Sequence, residues 1–168
     1  MARPVAVLDT DVIRIALDNT SNDPSIEQRR TFIALATERL EKMNAIYVVP
    51  APVVAELSGA GPADALPEIA RLLGGIRVQS LDEEAARVAG QIAKETLANR
   101  VGRERGAVKY DALIFAIAHQ MGARWLLTGN RRDYERCAKA IASPVEIVVA
   151  TEPPSGQQSM VVVMQSKP

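Results

Sequence analysis

The chain is poor in cysteine, histidine and aromatic residues. Cys137 is its one cysteine, His119 is its one histidine, and Phe, Trp and Tyr together make up 4% of the sequence. A single cysteine excludes an intrachain disulfide and suits a reducing compartment, so we expect a cytoplasmic protein. The low aromatic content predicts a core built mainly from aliphatic side chains.

The chain also lacks a long apolar run and an excess of charge of either sign. No stretch reaches the roughly 18 apolar residues that a membrane-spanning helix needs, so we expect no membrane association. The 20 basic and 20 acidic residues cancel, which argues mildly against a nucleic-acid partner, although a carboxylate cluster and a basic rim would also sum to zero. At 168 residues, 48% of them hydrophobic, the chain fits one globular domain.

Short apolar runs alternate with helical periodicity along residues 1–150. The runs predicted to be strands are Val5–Leu8, Ile46–Val49, Ile76–Val78, Trp125–Thr128 and Val145–Val149. The predicted helices are Asp11–Leu17, Ile26–Met43 with Ser25 as its cap, Pro52–Leu57, Ala65–Leu73, Asp82–Arg103, Val108–Met121 and Asp133–Ile141. This alternation predicts an α/β fold, a three-layer α/β/α sandwich with a central parallel sheet. Residues 151–168 are predicted to form a C-terminal tail, linker-like at first and then briefly apolar.

Four acidic residues are predicted to lie where a strand passes into a helix: Asp9, Glu56, Asp111 and Asp133. Ligands of open parallel sheets bind outside the carboxyl ends of the strands, so these side chains are expected to converge. Each acid alone has a simpler explanation as a helix cap or a first-turn acid, and Asp11 would cap as well as Asp9. Capping is a poor explanation for all four together, so the sequence predicts an acidic cluster.

A cluster of carboxylates must bind protons or cations. Two carboxylates about 4 Å apart repel by about 4 kcal/mol at an effective dielectric of about 20. Oxygen ligands without histidine or cysteine suit magnesium or manganese rather than zinc. Two such ions can activate a water and stabilise the leaving oxygen of a phosphoryl displacement. The pattern therefore indicates metal-assisted chemistry on phosphate.

Four motifs in order resemble those of the PIN-domain family. They are Val-Leu-Asp-Thr-Asp at 7–11, Val-Val-Ala-Glu-Leu at 53–57, Tyr-Asp-Ala-Leu-Ile-Phe-Ala-Ile-Ala at 110–118 and Leu-Leu-Thr-Gly-Asn-Arg-Arg-Asp-Tyr at 126–134. The resemblance covers about residues 4–149. It implies a PIN-like fold and a magnesium- or manganese-dependent endoribonuclease, most often the VapC-type toxin of a type II toxin–antitoxin pair. An antitoxin partner and a homodimer are also implied.

The resemblance assigns roles to individual positions. Asp9, Glu56, Asp111 and Asp133 would form the acidic, metal-binding site. By the same resemblance, Thr10 and Thr128 would orient that site through their hydroxyl groups. Asn130 stands where the family often has aspartate, which would weaken a second metal or make it depend on substrate.

Basic residues flank the predicted site on both sides. Arg105 and Lys109 precede Asp111, and Arg131 and Arg132 precede Asp133. They are either a solvated charged face or a grip on RNA phosphates. His119 is interpreted as a core or interface histidine rather than a catalytic base.

Three other functions share part of this pattern. Asp9-Thr10-Asp11-Val12 is also similar to the start of haloacid-dehalogenase phosphatases, but no later acidic pair completes that site, and Glu56 and Asp111 would have no role. A housekeeping nuclease in RNA processing would carry the same acids as a toxin. A non-catalytic module that binds RNA or protein is not favoured, because all four acids are in place.

Overall fold

The computed structural model describes residues 2–60, 64–98 and 105–153, without the side chains of residues 60 and 105–108. Within these ranges the strands are β1 Val5–Leu8, β2 Ile46–Pro50, β3 Arg77–Gln79, β4 Trp125–Thr128 and β5 Glu146–Val149. The helices are α1 Thr10–Leu17, α2 Pro24–Lys42, α3 Ala51–Ala60, α4 Ala65–Leu72, α5 Glu83–Ala98, α6 Arg105–Gln120 and α7 Arg131–Ala140. The predicted apolar segment of the tail lies outside the described residues.

The five strands form one parallel sheet in the order β3-β2-β1-β4-β5. From β1 the chain moves outwards to β2 and β3, then crosses back to β4 and continues outwards to β5. Because crossovers between parallel strands are right-handed, this reversal places helices on both faces of the sheet. Accordingly α1 packs on α2 and α4, whereas α5, α6 and α7 pack on one another. The predicted α/β/α architecture with a parallel sheet is confirmed.

The reversal of direction creates a switch point between β1 and β4. Open α/β sheets bind their ligands at such a point, outside the carboxyl ends of the strands. Leu8 and Leu127 are the last residues that pair between β1 and β4. The next residues, Asp9 and Thr128, therefore lie side by side. This topology brings together two motifs from opposite ends of the sequence.

The central layers are apolar and tightly buried. Helix α6 contributes Ile114–Ala118, all of which are at most 1% exposed, and Leu126 and Leu127 of β4 are fully buried. Full burial of one such large aliphatic side chain stabilises the fold by about 1.5–3 kcal/mol. Gly122, with a φ of +62°, follows the end of α6, where a left-handed backbone favours glycine.

Two predictions about helix starts were wrong. Asp23, not Ser25, caps α2: its side chain accepts a hydrogen bond from the Ser25 backbone N–H, and Pro24 occupies the first helical position. Asp111 is not in the first turn of its helix, because α6 begins at Arg105 rather than at the predicted Val108. An acid in the interior of a helix gains no first-turn dipole stabilisation, so that explanation of Asp111 is removed.

None of the helices in the described ranges combines the length and the apolar character needed to cross a lipid bilayer.

Candidate acidic site at the switch point

Asp9 lies at the centre of the site and is held from three sides. Its backbone N–H donates to the Leu127 carbonyl at 3.0 Å, which extends the β1–β4 ladder by one residue. Its Oδ1 accepts the Thr10 backbone N–H at 2.8 Å, so Asp9 is also the N-cap of α1. Its Oδ2 accepts the Thr128 hydroxyl at 2.7 Å. Thr10 and Thr128, the two predicted supporting residues, therefore both donate a hydrogen bond to the Asp9 carboxyl.

Asp11 is a second, half-buried carboxyl beside Asp9, and its place in the site was not predicted. Its Oδ2 accepts the Gly129 backbone N–H at 2.8 Å, while its Oδ1 is buried without a hydrogen-bond partner among the described residues. Gly129 allows this contact because a Cβ atom there would collide with Asp11 Oδ2. The sequence indicated Asp11 only as an alternative cap to Asp9. In the structure Asp9 is the cap, so Asp11 has another role.

Burial and mutual repulsion shift the pKa values of this pair. Desolvation, followed by the charge of Asp11, raises the pKa of Asp9 from 3.8 to about 8, against the opposing hydrogen bond from Thr128. Desolvation also raises the pKa of Asp11, against hydrogen bonds led by the Gly129 N–H. Two adjacent carboxyls of this kind hold a proton at neutral pH or bind a cation instead.

Tyr134 brings a fully buried phenol to the same place. It is 0% exposed, in the first turns of α7. Desolvation, followed by the charges of Asp9 and Asp111, raises its pKa well above the ordinary value, so the hydroxyl stays protonated. Asp111, from the interior of α6, therefore lies close enough to act on the same phenol as Asp9. Tyr134 is the last residue of the fourth motif, but the sequence assigned no role to it.

Glu56 joins the site through Thr10. It lies in the middle of α3, and its Oε2 accepts a hydrogen bond from the Thr10 hydroxyl. The Arg14 side chain binds the Glu56 backbone carbonyl at 3.3 Å, which ties α3 to α1. Thr10 thus connects Asp9, through its backbone, with Glu56, through its side chain.

Asp133 and Asn130 lie at the start of α7. Asp133 is 9% exposed and faces Arg136 of the same helix at 3.7 Å. Asn130 precedes the helix, and its backbone N–H donates to the Thr128 hydroxyl at 2.9 Å. The Thr128 hydroxyl therefore connects Asn130 and Asp9, because it accepts a hydrogen bond from the first and donates one to the second.

The predicted basic residues differ in position. Arg131 and Arg132 are exposed at the start of α7, and Arg131 also forms an exposed ion pair with Glu135 at 3.4 Å. Lys109 is exposed on α6, whereas the side chain of Arg105 lies outside the described part. His119 lies near the carboxyl end of α6, away from the site, with Nδ1 2.8 Å from the Ser143 hydroxyl. Its interpretation as a structural histidine agrees with that contact.

The donor set fits a hard divalent cation. Among the described residues, no group of three or more His, Cys, Asp or Glu side chains is arranged closely enough to hold a metal outright. The metal-binding role of the four acids therefore stays a prediction. In its favour, the site offers carboxylate oxygens only, one of them without a hydrogen bond, and a repulsion that a cation would relieve.

No protein-family model and no curated protein matches this sequence. Solved structures do match its fold. One chain of VapBC-1 from nontypeable Haemophilus influenzae is 20% identical, with a TM-score of 0.59 over 88% of this chain and 99% of that one. FitAcB from Neisseria gonorrhoeae gives 19% identity and 0.54 over 86% and 97%. VapBC2 from Rickettsia felis, bound to a DNA fragment from its promoter, gives 15% and 0.55 over 86% and 99%.

These similarities concern the fold. The chain has the PIN-like α/β/α fold that is found in these complexes, and the fold expected from the four motifs is confirmed.

Proposed function

We propose that this protein is a magnesium- or manganese-dependent endoribonuclease and the toxin of a type II toxin–antitoxin pair. The observation that carries the proposal is the burial of Asp9 beside Asp11 at the switch point. Glu56 accepts a hydrogen bond from Thr10, and Asp111 lies near enough to raise the pKa of Tyr134. A fold shared with chains of VapBC and FitAcB complexes supports it.

The residues of the chain would divide the work as follows. Asp9, Glu56, Asp111 and Asp133 would hold the cation, with Asn130 at the edge of the site. When bound, a divalent ion neutralises charge developing on a scissile phosphate and makes water a better nucleophile. Thr10 and Thr128 would keep the carboxylates of Glu56 and Asp9 in fixed orientations, which avoids reorganisation during reaction.

RNA would be bound along the exposed basic residues beside the site. Arg131 and Arg132 begin α7 directly after the switch point, and Lys109 is exposed on α6 two residues before Asp111. Such side chains bind backbone phosphates without reading sequence, so they would position a strand rather than select a cleavage site. Arg105 is proposed for the same role from its place in the sequence alone.

An antitoxin would bind in an apolar groove in the helical layer of α1, α2 and α4, away from α5, α6 and α7. The groove has a volume of about 250 Å³ and lies between α1, α2 and α4, where Val12, Ile33, Ile69 and Leu72 line it. Leu72 is 54% exposed, which is unusual for a large apolar side chain. The apolar face of an antitoxin helix would cover it, which is a common mode of peptide recognition. Homodimerisation, which the resemblance implies, stays a prediction.

The test is cleavage of single-stranded RNA by the purified protein with manganese or magnesium, and its loss with EDTA. Asp9→Asn and Asp111→Asn should each reduce the rate by about 100-fold or more, because each removes a charge that acts in the transition state. Asp64→Asn is the matched control, since Asp64 is exposed and makes no capping hydrogen bond. Unchanged cleavage by both site variants would refute the proposed centre.

The toxin role needs a separate test. Expression of the protein alone should arrest growth, the Asp9→Asn form should be harmless, and a neighbouring antitoxin gene should rescue growth. Active enzyme tolerated in several hosts would instead indicate a nuclease of RNA processing.

A further inference from the structure

The buried hydroxyl of Tyr134 is a hydrogen-bond donor without a well-formed hydrogen bond among the described residues. Its side chain is fully buried, and its ring packs at a tilt of 35° on Phe115 with the ring centroids 6.3 Å apart. The hydroxyl makes no hydrogen bond of normal geometry with any described atom, but it is close enough to the Asp9 carboxyl to lower the pKa of that group. A buried hydroxyl without a partner destabilises the fold, and phenylalanine would avoid this cost at the same packing position.

The carboxyl of Asp9 has room for this donor. Its two oxygens accept one hydrogen bond each, from the Thr10 N–H and the Thr128 hydroxyl. An ionised carboxylate offers about four acceptor sites, so one more donor and a cation can both be accommodated. The pKa of Tyr134 is raised first by desolvation and next by the charge of Asp9.

We propose that Tyr134 is a positioning residue for Asp9, whose hydroxyl donates to the Asp9 carboxylate when this carboxylate engages a divalent cation. The inference rests on the proposed function, because it assumes that Asp9 binds a metal. Together with Thr10 and Thr128, Tyr134 then restricts Asp9 to one orientation. Hydrogen-bonding partners of metal ligands typically change metal affinity by about 10–100-fold when they are removed.

The first experiment compares Tyr134→Phe with Tyr47→Phe. Tyr47 is also buried, but its hydroxyl binds the Thr37 carbonyl at 2.9 Å, away from the site. Manganese affinity is measured without RNA, from the electron paramagnetic resonance signal of free Mn²⁺. Tyr134→Phe should bind about 10–100-fold more weakly than wild type, and Tyr47→Phe should bind equally well. Equal affinity in wild type and Tyr134→Phe would overturn the inference but leave the metal centre intact.

The second experiment does not depend on the folding of Tyr134→Phe. The chain has three tyrosines, so the double variant Tyr47→Phe/Tyr110→Phe leaves Tyr134 alone. Magnesium should produce a near-ultraviolet tyrosine difference spectrum in this variant, because a new hydrogen bond to a carboxylate perturbs the phenol. Bound magnesium without that spectrum would contradict the inference. If wild type binds neither ion, both the metal centre and the role of Tyr134 fail.

Discussion

The hydroxyl of Thr128 donates a 2.7 Å hydrogen bond to Oδ2 of Asp9, across 119 residues of sequence. Thr128 is the last residue of β4, and Asp9 directly follows the adjacent strand β1, so both lie at the carboxyl end of the sheet. Because the same hydroxyl accepts the Asn130 N–H at 2.9 Å, one fully buried side chain connects both halves of the site.

Thr128→Val should therefore destabilise the protein. Valine has nearly the same shape but leaves Oδ2 of Asp9 without its hydrogen-bond donor and the Asn130 N–H without an acceptor. The loss in free energy of unfolding should be about 1–3 kcal/mol, measured by urea denaturation. Thr128→Ser keeps the hydroxyl and should recover most of the loss; an equally large loss in the serine variant would show that packing, not the hydrogen bond, dominates.

The metal-free protein should lose stability as pH rises from about 4 to 8. The folded-state pKa of Asp9 is about 8, above its unfolded value of 3.8, so the folded protein binds more protons within this window. The penalty begins near the unfolded pKa and is complete above the folded one. Thermal melts with EDTA should show this decline, and magnesium or manganese should raise the melting temperature at pH 8 by binding the folded state.

Asp9→Asn is the control for that pH dependence. Asparagine cannot ionise, so the variant should melt at a more constant temperature across the window and respond little to metal. Asp111→Asn removes one of the repelling charges, so this variant should be more stable than wild type without metal. It should also lose most of the response to metal. If wild type at pH 8 melts at the same temperature with and without manganese, the acids do not act as a cation site.

Gly129→Ala should disturb Asp11. A Cβ atom at this position collides with Asp11 Oδ2, so the 2.8 Å bond to the Gly129 N–H would be lost. Both stability and RNA cleavage should fall. Gly90→Ala is the matched control, since a Cβ on this exposed residue of α5 meets nothing within 4 Å. That change should stabilise the protein by about 0.5–1 kcal/mol through helix propensity. Similar effects of the two substitutions would refute a special role for Gly129.

Leu72→Glu should weaken antitoxin binding without unfolding the protein. The side chain is 54% exposed at the rim of the apolar groove, so a charge there is tolerated in the free protein but is desolvated in a complex. Leu81→Glu, at another exposed leucine outside the groove, should have little effect. Co-purification with the antitoxin, checked by circular dichroism of each variant, measures this. Full binding by Leu72→Glu would place the antitoxin elsewhere.

Much of the fold could be predicted because hydrophobic periodicity is local. Trp125–Leu127 is apolar, and the strand Trp125–Thr128 was identified with its observed bounds, as was Val5–Leu8. Boundaries were less certain where caps compete: Asp23 and Ser25 are both good N-caps, and only the backbone geometry selected Asp23. The start of α6 was predicted three residues too late, at Val108, because Arg105, Gly106 and Ala107 carry no apolar periodicity.

The sequence by itself determined the alternation of strands and helices, the aliphatic core and the positions of Asp9 and Thr128 at strand ends, because these depend on residues near one another in the chain. Only the tertiary structure decided that Asp11 and Tyr134 lie beside Asp9. Their roles depend on the switch point between β1 and β4 and on the packing of α7, which bring distant residues together. Burial, and with it the raised pKa of Asp9, exists only once those elements have excluded water from the site.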